Sequence, residues 1–276
     1  MTDIIRTVPE LRQKLKNTSG TLGFVPTMGA LHAGHVSLVT LAKEKTDYVA
    51  ASIFVNPTQF GPQEDFNRYP RQEAADIELL TAAGTDIIFI PSTKELYPEG
   101  SSTQIDVGYI GTILEGAVRP HFFNGVALIV SKLLMLFQPT LAIFGEKDYQ
   151  QLVVIQKLVR ELMIPTTIIA GSVIRQSNGL AMSSRNAYLT EKEQQIAPAL
   201  YRILETTKTR MQQEIPVSQA LDQACIELTA AGFDAVDYFQ LRHEQSLEPL
   251  DQLAPHARLL AAVRFPQVRL IDTLAI

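Results

Sequence analysis

The first two thirds of the chain alternate between short apolar runs and longer segments whose apolar residues recur at helical spacing. The short runs predict strands at 21–25, 48–55, 86–90, 141–144 and 166–174. The longer segments predict helices at 8–16, 36–45, 72–83, 126–137 and 149–162. Regular alternation of strand and helix is typical of a parallel sheet wrapped by helices, with right-handed crossover connections.

The pattern changes in the last third of the chain, where helices at 191–214 and 217–231 precede three strands. These strands are predicted at 235–241, 257–264 and 268–274, and their order is typical of an α+β unit. We therefore expect an α/β protein. A Rossmann-like parallel sheet wrapped by helices would occupy residues 1–177, and a smaller C-terminal α+β lid domain would occupy residues 178–276.

Composition narrows the class of protein. The 276 residues are 46% hydrophobic and 19% charged, which allows a sizeable core. The net charge of −5 argues against a nucleic-acid partner, which needs a basic surface. The single cysteine, Cys225, can form neither an internal disulfide nor a cysteine metal site. Residues 1–10 lack an apolar signal segment, and no apolar run is long enough for a membrane, so we expect a cytoplasmic protein without a membrane partner.

The stretch 24–35, F-V-P-T-M-G-A-L-H-A-G-H, lies between a predicted strand and a predicted helix. Gly29 and Gly34 allow tight turns and close approach of the backbone to a ligand. Free N–H groups at a helix start attract phosphate, and His32 and His35 would project to one side of that terminus. The pattern suits chemistry at a nucleotide α-phosphate. The alternative is a capping or surface histidine in a chance motif, and neither a Walker A loop nor a dinucleotide fingerprint is present.

Two further polar clusters follow predicted strands. Asn56 and Gln59 carry amides that can donate to and accept from a small hydroxylated or carboxylated substrate. The alternative for this segment is an ordinary Asn-Pro turn. In the cluster at 145–151, Gly145 permits close backbone approach and Asp148 can accept from ribose hydroxyls, or it can simply cap the next helix. Ligands of open parallel sheets lie at these strand ends.

A last cluster, Met182-Ser183-Ser184-Arg185-Asn186, follows the predicted strand at 166–174. Two hydroxyls and a guanidinium can clamp a phosphate and follow its charge as it develops. Such a loop between domains can close over ATP, while the alternative is a polar hinge.

As a set, these motifs closely resemble the pantothenate synthetase (pantoate–β-alanine ligase) family. The shared blocks are P-T-M-G-A-L-H-x-G-H, F-V-N-P-x-Q-F, F-G-E-K-D-Y-Q-Q-L and G-L-A-M-S-S-R-N, in this order. The resemblance covers essentially the whole chain and places it among the H-x-G-H nucleotidylyltransferases. It implies condensation of (R)-pantoate with β-alanine, driven by ATP accompanied by Mg²⁺, through a pantoyl adenylate. It also implies a homodimer formed through the N-terminal domain, and we expect no metal held by the protein's own residues.

The resemblance also assigns residues. It implies His35 as proton donor, with His32 and Arg185 acting beside it at the phosphates. Pantoate and β-alanine would be bound by Gln59, Gln151 and Asn56. ATP would be bound by Met28, Gly29, Ala30, Leu31, His32, Ala33, Gly34, His35, Gly145, Glu146, Lys147, Asp148, Ile174, Met182, Ser183, Ser184 and Arg185.

Two departures from the family pattern are visible. Many members have R-P-G-H-F-R-G-V where residues 119–126 read R-P-H-F-F-N-G-V, so we expect no β-alanine role for His121. Asn178 replaces a frequent aspartate, with a small expected effect. Two alternative functions stay open: an H-x-G-H transferase of another kind, such as a cytidylyltransferase, and a nucleotide-binding regulatory protein that has kept the fold.

Overall fold

Six parallel strands form the larger sheet of the computed structural model, which describes residues 2–61 and 64–276. Their parallel direction is the one that the α/β pattern predicts, and the strands lie in the order β1-β4-β3-β2-β5-β6. They are β1 (Asp3–Ile5), β2 (Leu22–Thr27), β3 (Tyr48–Ile53), β4 (Ile87–Phe89), β5 (Leu141–Gly145) and β6 (Thr167–Gly171).

Within the described residues, seven α-helices connect or flank these strands. They are α1 (Val8–Lys16), α2 (Ala33–Lys43), α3 (Glu73–Ala83), α4 (Thr93–Leu96), α5 (Glu115–Val118), α6 (Phe122–Phe137) and α7 (Tyr149–Glu161). Local sequence fixes several of their ends. Thr7 and Glu10 form a capping box at the start of α1, and Gly84 ends α3 in the left-handed conformation that glycine favours.

Both faces of the larger sheet are covered, because successive side chains of a strand point to opposite faces. On one face, the ring of Phe24 stacks on that of Phe137 in α6, with 4.2 Å between the ring centroids. On the other face, Val25 joins an apolar cluster with Val39 of α2 and Leu80 of α3. Because both of its faces are buried, β2 has a nearly continuous run of apolar residues.

The remaining strands form an antiparallel sheet in the order β7-β8-β9. They are β7 (Ala235–His243), β8 (Ala257–Arg264) and β9 (Arg269–Ala275), and their helices are α8 (Glu191–Ile196), α9 (Ala199–Gln212) and α10 (Val217–Ala231). Apolar residues of α9 and α10, such as Leu204 and Leu228, pack with Leu259 and Val263 of β8 in one core. The predicted α+β pattern of this part is confirmed.

The chain divides into two compact units. The N-terminal unit contains the residues through Gly145 together with Val154–Gly171, and the C-terminal unit contains Glu146–Val153 and Ser172–Ile276. The predicted division into domains 1–177 and 178–276 stays a prediction.

Some element bounds differ from the predictions. Strand β1 was not expected, and α6 begins at Phe122, four residues before the predicted start. The helix predicted at 191–214 is two helices, because Pro198 has no N–H for a helical hydrogen bond. The strand predicted to reach residue 174 ends at Gly171. In the loop predicted at 56–71, residues 62 and 63 lie outside the described residues.

None of the helices in the described part of the chain is both long enough and apolar enough to span a membrane.

Candidate active site

The carboxyl ends of β2 and β5 mark the point where the strand order of the larger sheet reverses. From β2 the chain proceeds through β3 and β4 on one side, whereas β5 and β6 lie on the other side. Ligands of doubly wound sheets bind at such a switch point, outside the carboxyl ends of the strands. The loop after β2 carries the H-x-G-H motif, and the segment after β5 carries G-E-K-D.

The two motif histidines lie together at the start of α2. The helix begins at Ala33, three residues before the predicted start, with His32 as its N-cap. Nδ1 of His32 accepts from the N–H of Gly34 at 3.1 Å, and Nδ1 of His35 accepts from the N–H of His32 at 3.3 Å. The ring centroids are 4.2 Å apart, which confirms the predicted proximity. Because both Nδ1 atoms are acceptors, each neutral ring carries its proton on Nε2.

A buried carboxylate that sequence analysis missed holds the loop before these histidines. Asp76 of α3 is only 1% exposed. Its oxygens accept from the N–H of Ala30 at 2.9 Å and from the N–H of Leu31 at 2.8 Å. Ala30 is in the left-handed conformation, with φ of 52°, which costs energy for a residue with a Cβ. The two charge-assisted hydrogen bonds offset that cost.

Gly29 is required by the same packing. Its φ is 81°, and a Cβ at this position would lie 2.9 Å from Oδ2 of Asp76 and 3.1 Å from Cγ2 of Ile53. The N–H of Gly29 donates to Oγ1 of Thr27 at 3.2 Å.

The backbone N–H groups of this loop thus have acceptors inside the protein. This holds for the N–H groups of Gly29, Ala30, Leu31, His32, Gly34 and His35. These six N–H groups are therefore not free for a ligand, because a buried carboxylate, a hydroxyl, two imidazoles and a carbonyl accept from them. The assignment of residues 28–35 to an ATP site stays a prediction.

Asn56 and Gln59 lie on a tight turn after β3 and are 1% and 8% exposed. Nδ2 of Asn56 donates to Oε1 of Gln59 at 3.1 Å, and Nε2 of Gln59 donates to Sδ of Met28 at 2.9 Å. Gln59 therefore contacts the loop after β2. The turn packs directly on α6, where a Cβ on Gly125 would lie 2.3 Å from the carbonyl oxygen of Thr58. Only glycine fits at that approach.

The segment after β5 is held by a buried arginine of the C-terminal sheet. Arg258 of β8 is 6% exposed, and its Nη2 lies 3.6 Å from Oε1 of Glu146 and 3.2 Å from Oε1 of Glu244. Its guanidinium carbon lies 3.9 Å from the ring centroid of Tyr149. Burial raises the pKa of the Tyr149 hydroxyl, and the charge of Arg258 partly offsets this. Sequence analysis did not single out Arg258.

Other predicted residues of this segment are more exposed. Asp148 is exposed and Lys147 is half-buried, with 4.0 Å between Oδ2 of Asp148 and Nζ of Lys147. Gln151 is half-buried in the first turn of α7. An ion pair at this distance near the surface contributes little to stability. Both charged groups can therefore still form hydrogen bonds with a ligand.

A short hairpin joins the remaining predicted residues of the C-terminal unit. The N–H of Met182 donates to the carbonyl of Ile174 at 2.9 Å, and the side chain of Ser183 accepts from the N–H of Arg185 at 3.3 Å. The base of the hairpin is fixed by Arg175, whose guanidinium forms two hydrogen bonds with the buried carboxylate of Asp272. Local geometry thus brings Ile174 beside the S-S-R-N segment, although Ile174 and Met182 are eight residues apart in the sequence.

The two departures from the family pattern have local explanations. Oδ1 of Asn124 accepts from the N–H of Val107 at 3.2 Å and so fixes the loop before α6. His121 is an exposed N-cap of α6 with φ of 69°. Oδ1 of Asn178 accepts from the N–H of Leu180 at 3.1 Å within the hairpin. An aspartate oxygen could make the same bond, which is consistent with a small effect of that exchange.

The missed residues have recognisable signals in the sequence. Asp76 occupies the apolar stripe of α3, four residues before the buried Leu80. Arg258 stands in a strand whose other residues through Val263 are all buried. A charged residue in an otherwise apolar face is rarely placed there without a partner.

Comparison with known proteins identifies the family. The family model described as pantoate-beta-alanine ligase matches residues 3–275. A pantothenate synthetase of Paramagnetospirillum magneticum is 46% identical over 276 residues, covering 99% of this chain and 97% of the relative.

Two solved structures extend the comparison. The crystal structure of pantothenate synthetase from Thermus thermophilus has a TM-score of 0.95 and 45% identity, covering 99% of both chains. The pantoate-beta-alanine ligase of Francisella tularensis was solved in complex with β,γ ATP and β-alanine. It has a TM-score of 0.85 and 36% identity, covering 100% of this chain and 98% of that one. Since the family model spans nearly every residue, this chain belongs to the pantoate–β-alanine ligase family.

Proposed function

We propose that the protein condenses (R)-pantoate with β-alanine to pantothenate, with conversion of ATP to AMP and pyrophosphate. The observation that carries the proposal is the match of the pantoate–β-alanine ligase model to residues 3–275. The histidine pair at the switch point of the sheet supports it, because that is where a parallel sheet binds nucleotides. Neither a cytidylyltransferase nor a regulatory protein is favoured by any feature of the site.

In the first step, a carboxylate oxygen of pantoate attacks the α-phosphorus of ATP. The bond from that phosphorus to the oxygen bridging to the β-phosphate breaks, and pyrophosphate leaves. ATP enters as its Mg²⁺ complex, so the cation belongs to the substrate. His32 and His35 donate from Nε2 to the non-bridging oxygens, where negative charge grows in the transition state. Arg185 acts on the same phosphates as a planar cation.

In the second step, the amine of β-alanine attacks the acyl carbon of the pantoyl adenylate. The bond from that carbon to the AMP oxygen breaks, AMP leaves, and the amine gives up a proton. A mixed anhydride also reacts with water, so the site must exclude water while the intermediate exists. Gln59, Gln151 and Asn56 serve pantoate and β-alanine in this proposal.

The remaining proposed residues bind ATP. Residues 28–35 face the phosphates mainly through the two imidazoles, because the loop N–H groups are used within the protein. The segment after β5 and the hairpin contribute Gly145, Glu146, Lys147, Asp148, Ile174, Met182, Ser183 and Ser184. Asp148 accepts from the ribose, since its carboxylate is exposed.

We further propose that the protein works as a homodimer in the cytoplasm. The family resemblance supports the dimer, and the match to a family of biosynthetic enzymes supports the location. Light scattering on the purified protein tests the dimer. A mass of one chain, 30.6 kDa, would contradict it.

The function is tested by following pyrophosphate release from ATP. The first reaction contains pantoate without β-alanine, and the second contains both. We expect a burst close to one pyrophosphate per site in the first reaction, and steady turnover to AMP and pantothenate in the second.

Other outcomes would overturn the proposal. Pyrophosphate release that is the same without pantoate would contradict the substrate and favour another nucleotidyl transfer. ATP binding without turnover in either reaction would favour the regulatory alternative.

A further inference from the structure

A chain of side-chain hydrogen bonds leads from Tyr97, at the end of α4, to Gln59. The phenol O–H of Tyr97 donates to Oδ1 of Asn56 at 2.8 Å. Nδ2 of Asn56 then donates to Oε1 of Gln59 at 3.1 Å. Asn56 is almost completely buried, so these bonds form away from water and are correspondingly strong. Sequence analysis did not single out Tyr97.

Two backbone groups show which end of the Asn56 amide is the oxygen and which is the nitrogen. The carbonyl of Gly125 can only accept, and it lies 3.2 Å from Nδ2 of Asn56. The N–H of Thr58 can only donate, and it lies 3.4 Å from Oδ1. One N–H of Asn56 therefore faces Gly125, and the other faces Gln59. The oxygen of Asn56 accepts from the hydroxyl of Thr58 at 3.0 Å and, in the shortest of its bonds, from Tyr97 at 2.8 Å.

The orientation of Asn56 fixes that of Gln59. Because Oε1 of Gln59 accepts from Asn56, its NH₂ group is directed the other way, where Sδ of Met28 lies 2.9 Å from Nε2. Thioether sulfur is a weak acceptor. A stronger acceptor, such as a carboxylate or hydroxyl oxygen, would readily replace it.

Tyr97 is itself held in place as a donor. Burial raises the pKa of its hydroxyl, with a hydrogen bond to Thr58 opposing the shift, so the phenol keeps its proton at neutral pH. Nζ of Lys132 lies 4.2 Å from the centroid of the Tyr97 ring and donates to the carbonyl of Leu96. The cation and the backbone contact fix the ring against α6.

We propose that Tyr97 is a positioning residue, acting through Asn56 to hold the Gln59 amide with its NH₂ group toward an acceptor oxygen of the substrate. The proposal rests on the proposed function, because it takes the carboxylic substrate pantoate as the molecule that Gln59 meets. It also changes the role of Asn56, whose amide is fully used within the protein and which acts through Gln59. Tyr97, Asn56 and Gln59 together then select for an acceptor oxygen of the substrate, and of the three only Gln59 touches it.

The test compares Tyr97→Phe with Tyr109→Phe, a control at an exposed tyrosine of the same unit. The first readout is the side-chain amide signal of Gln59 in ¹⁵N-labelled protein, identified by its loss in Gln59→Glu. We expect the signal to move in Tyr97→Phe and to stay in Tyr109→Phe. An unchanged signal in Tyr97→Phe would overturn the proposal, whether or not the protein turns over pantoate.

The second readout is kinetic. Loss of one hydrogen bond to Asn56 should raise the KM for pantoate about 3- to 10-fold in Tyr97→Phe. The KM for ATP should change less than about 2-fold, a split that a general loss of stability would not produce. In a Gln59→Glu background, Tyr97→Phe should add almost nothing, because the group it positions has gone.

If Tyr97→Phe raised the KM for pantoate by the same factor in the wild-type and Gln59→Glu backgrounds, action through Gln59 would be contradicted. Failure of the proposed function would look different, since the wild-type protein would then release no pyrophosphate in response to pantoate. The amide signal would still report on the hydrogen-bond chain in that case.

Discussion

The loops that begin at the ends of β2 and β5 are fixed by opposite charges and by different parts of the chain. The loop after β2 is held by the carboxylate of Asp76, which accepts from two backbone N–H groups within the N-terminal unit. The segment after β5 is held by the guanidinium of Arg258, which contacts the side chains of Glu146 and Tyr149 within the C-terminal unit. Asp76 therefore contacts backbone groups, whereas Arg258 contacts side chains.

This difference explains the kinds of residue that each motif requires. A loop held through its N–H groups needs small residues and unusual backbone angles, as at Gly29 and Ala30. A segment held through its side chains needs the charge and the ring themselves, as at Glu146 and Tyr149. In the proposed function the two segments have different tasks. The loop after β2 serves the reacting phosphate, where small displacements are costly, and the segment after β5 serves binding of the nucleoside.

The largest effect is expected at His35, where two substitutions separate catalysis from capping. His35→Ala removes the whole imidazole, whereas the oxygen of His35→Asn can replace Nδ1 as acceptor for the N–H of His32. Both lack Nε2, so both should lower pantoate-dependent pyrophosphate release by about 10²- to 10³-fold. ATP binding, measured by calorimetry, should change only a few-fold. Full activity in His35→Asn would reduce His35 to a capping residue.

A smaller loss is expected at Asp76. Asp76→Asn places an NH₂ group against one of the two backbone N–H groups, at a cost of about 1–3 kcal/mol. The loop after β2 then shifts and displaces His32 and His35, so the rate of adenylate formation in a single turnover should fall about 10- to 100-fold.

Asp86→Asn is the matched control, because Asp86 also accepts from a backbone N–H, that of Val49, at 2.8 Å. Similar stability losses in the two variants, with a rate loss only in Asp76→Asn, would support the role of Asp76. Equal rate losses would show that it is structural only.

The smallest effect is expected at Arg258. Arg258→Met leaves Glu146 without its cation and removes the planar group over Tyr149, so the KM for ATP should rise about 10-fold with little change in kcat. Arg242→Met is the control, since Arg242 is 9% exposed and bonds within its own strand and to the carbonyl of Leu247. A fall in kcat larger than the rise in KM would contradict a purely nucleoside-binding segment.

Long, strongly periodic elements could be predicted from the sequence. The helix predicted at 8–16 is α1 with the same bounds, and the parallel sheet follows from the alternation of patterns. The bounds near 171–186 were less accurate. Val173 and Ile174 are β-branched and extend the strand pattern, but residues 175–181 turn back as a hairpin through backbone bonds that the pattern does not encode.

Site residues were predicted where a motif is local and missed where a contact is distant. His32 and His35 form a local motif, and their rings do lie together. Asp76 is 46 residues from Ala30, and Tyr97 is 41 residues from Asn56. Only the folded sheet brings such pairs together, so no spacing in the sequence could specify them. The acceptor of the Ala30 and Leu31 N–H groups was missed for the same reason, since Asp76 lies in α3.

The proposed mechanism begins with attack of the pantoate carboxylate on the α-phosphorus of ATP. Pantoate labelled with ¹⁸O in both carboxylate oxygens tests this in one complete reaction with ATP and β-alanine. The proposed steps form a phosphorus–oxygen bond to the carboxylate and later break the carbon–oxygen bond. Mass spectrometry should therefore find one ¹⁸O in AMP and one in the amide carbonyl of pantothenate. AMP without label, formed alongside pantothenate, would contradict the adenylate and with it the role proposed for the histidine pair.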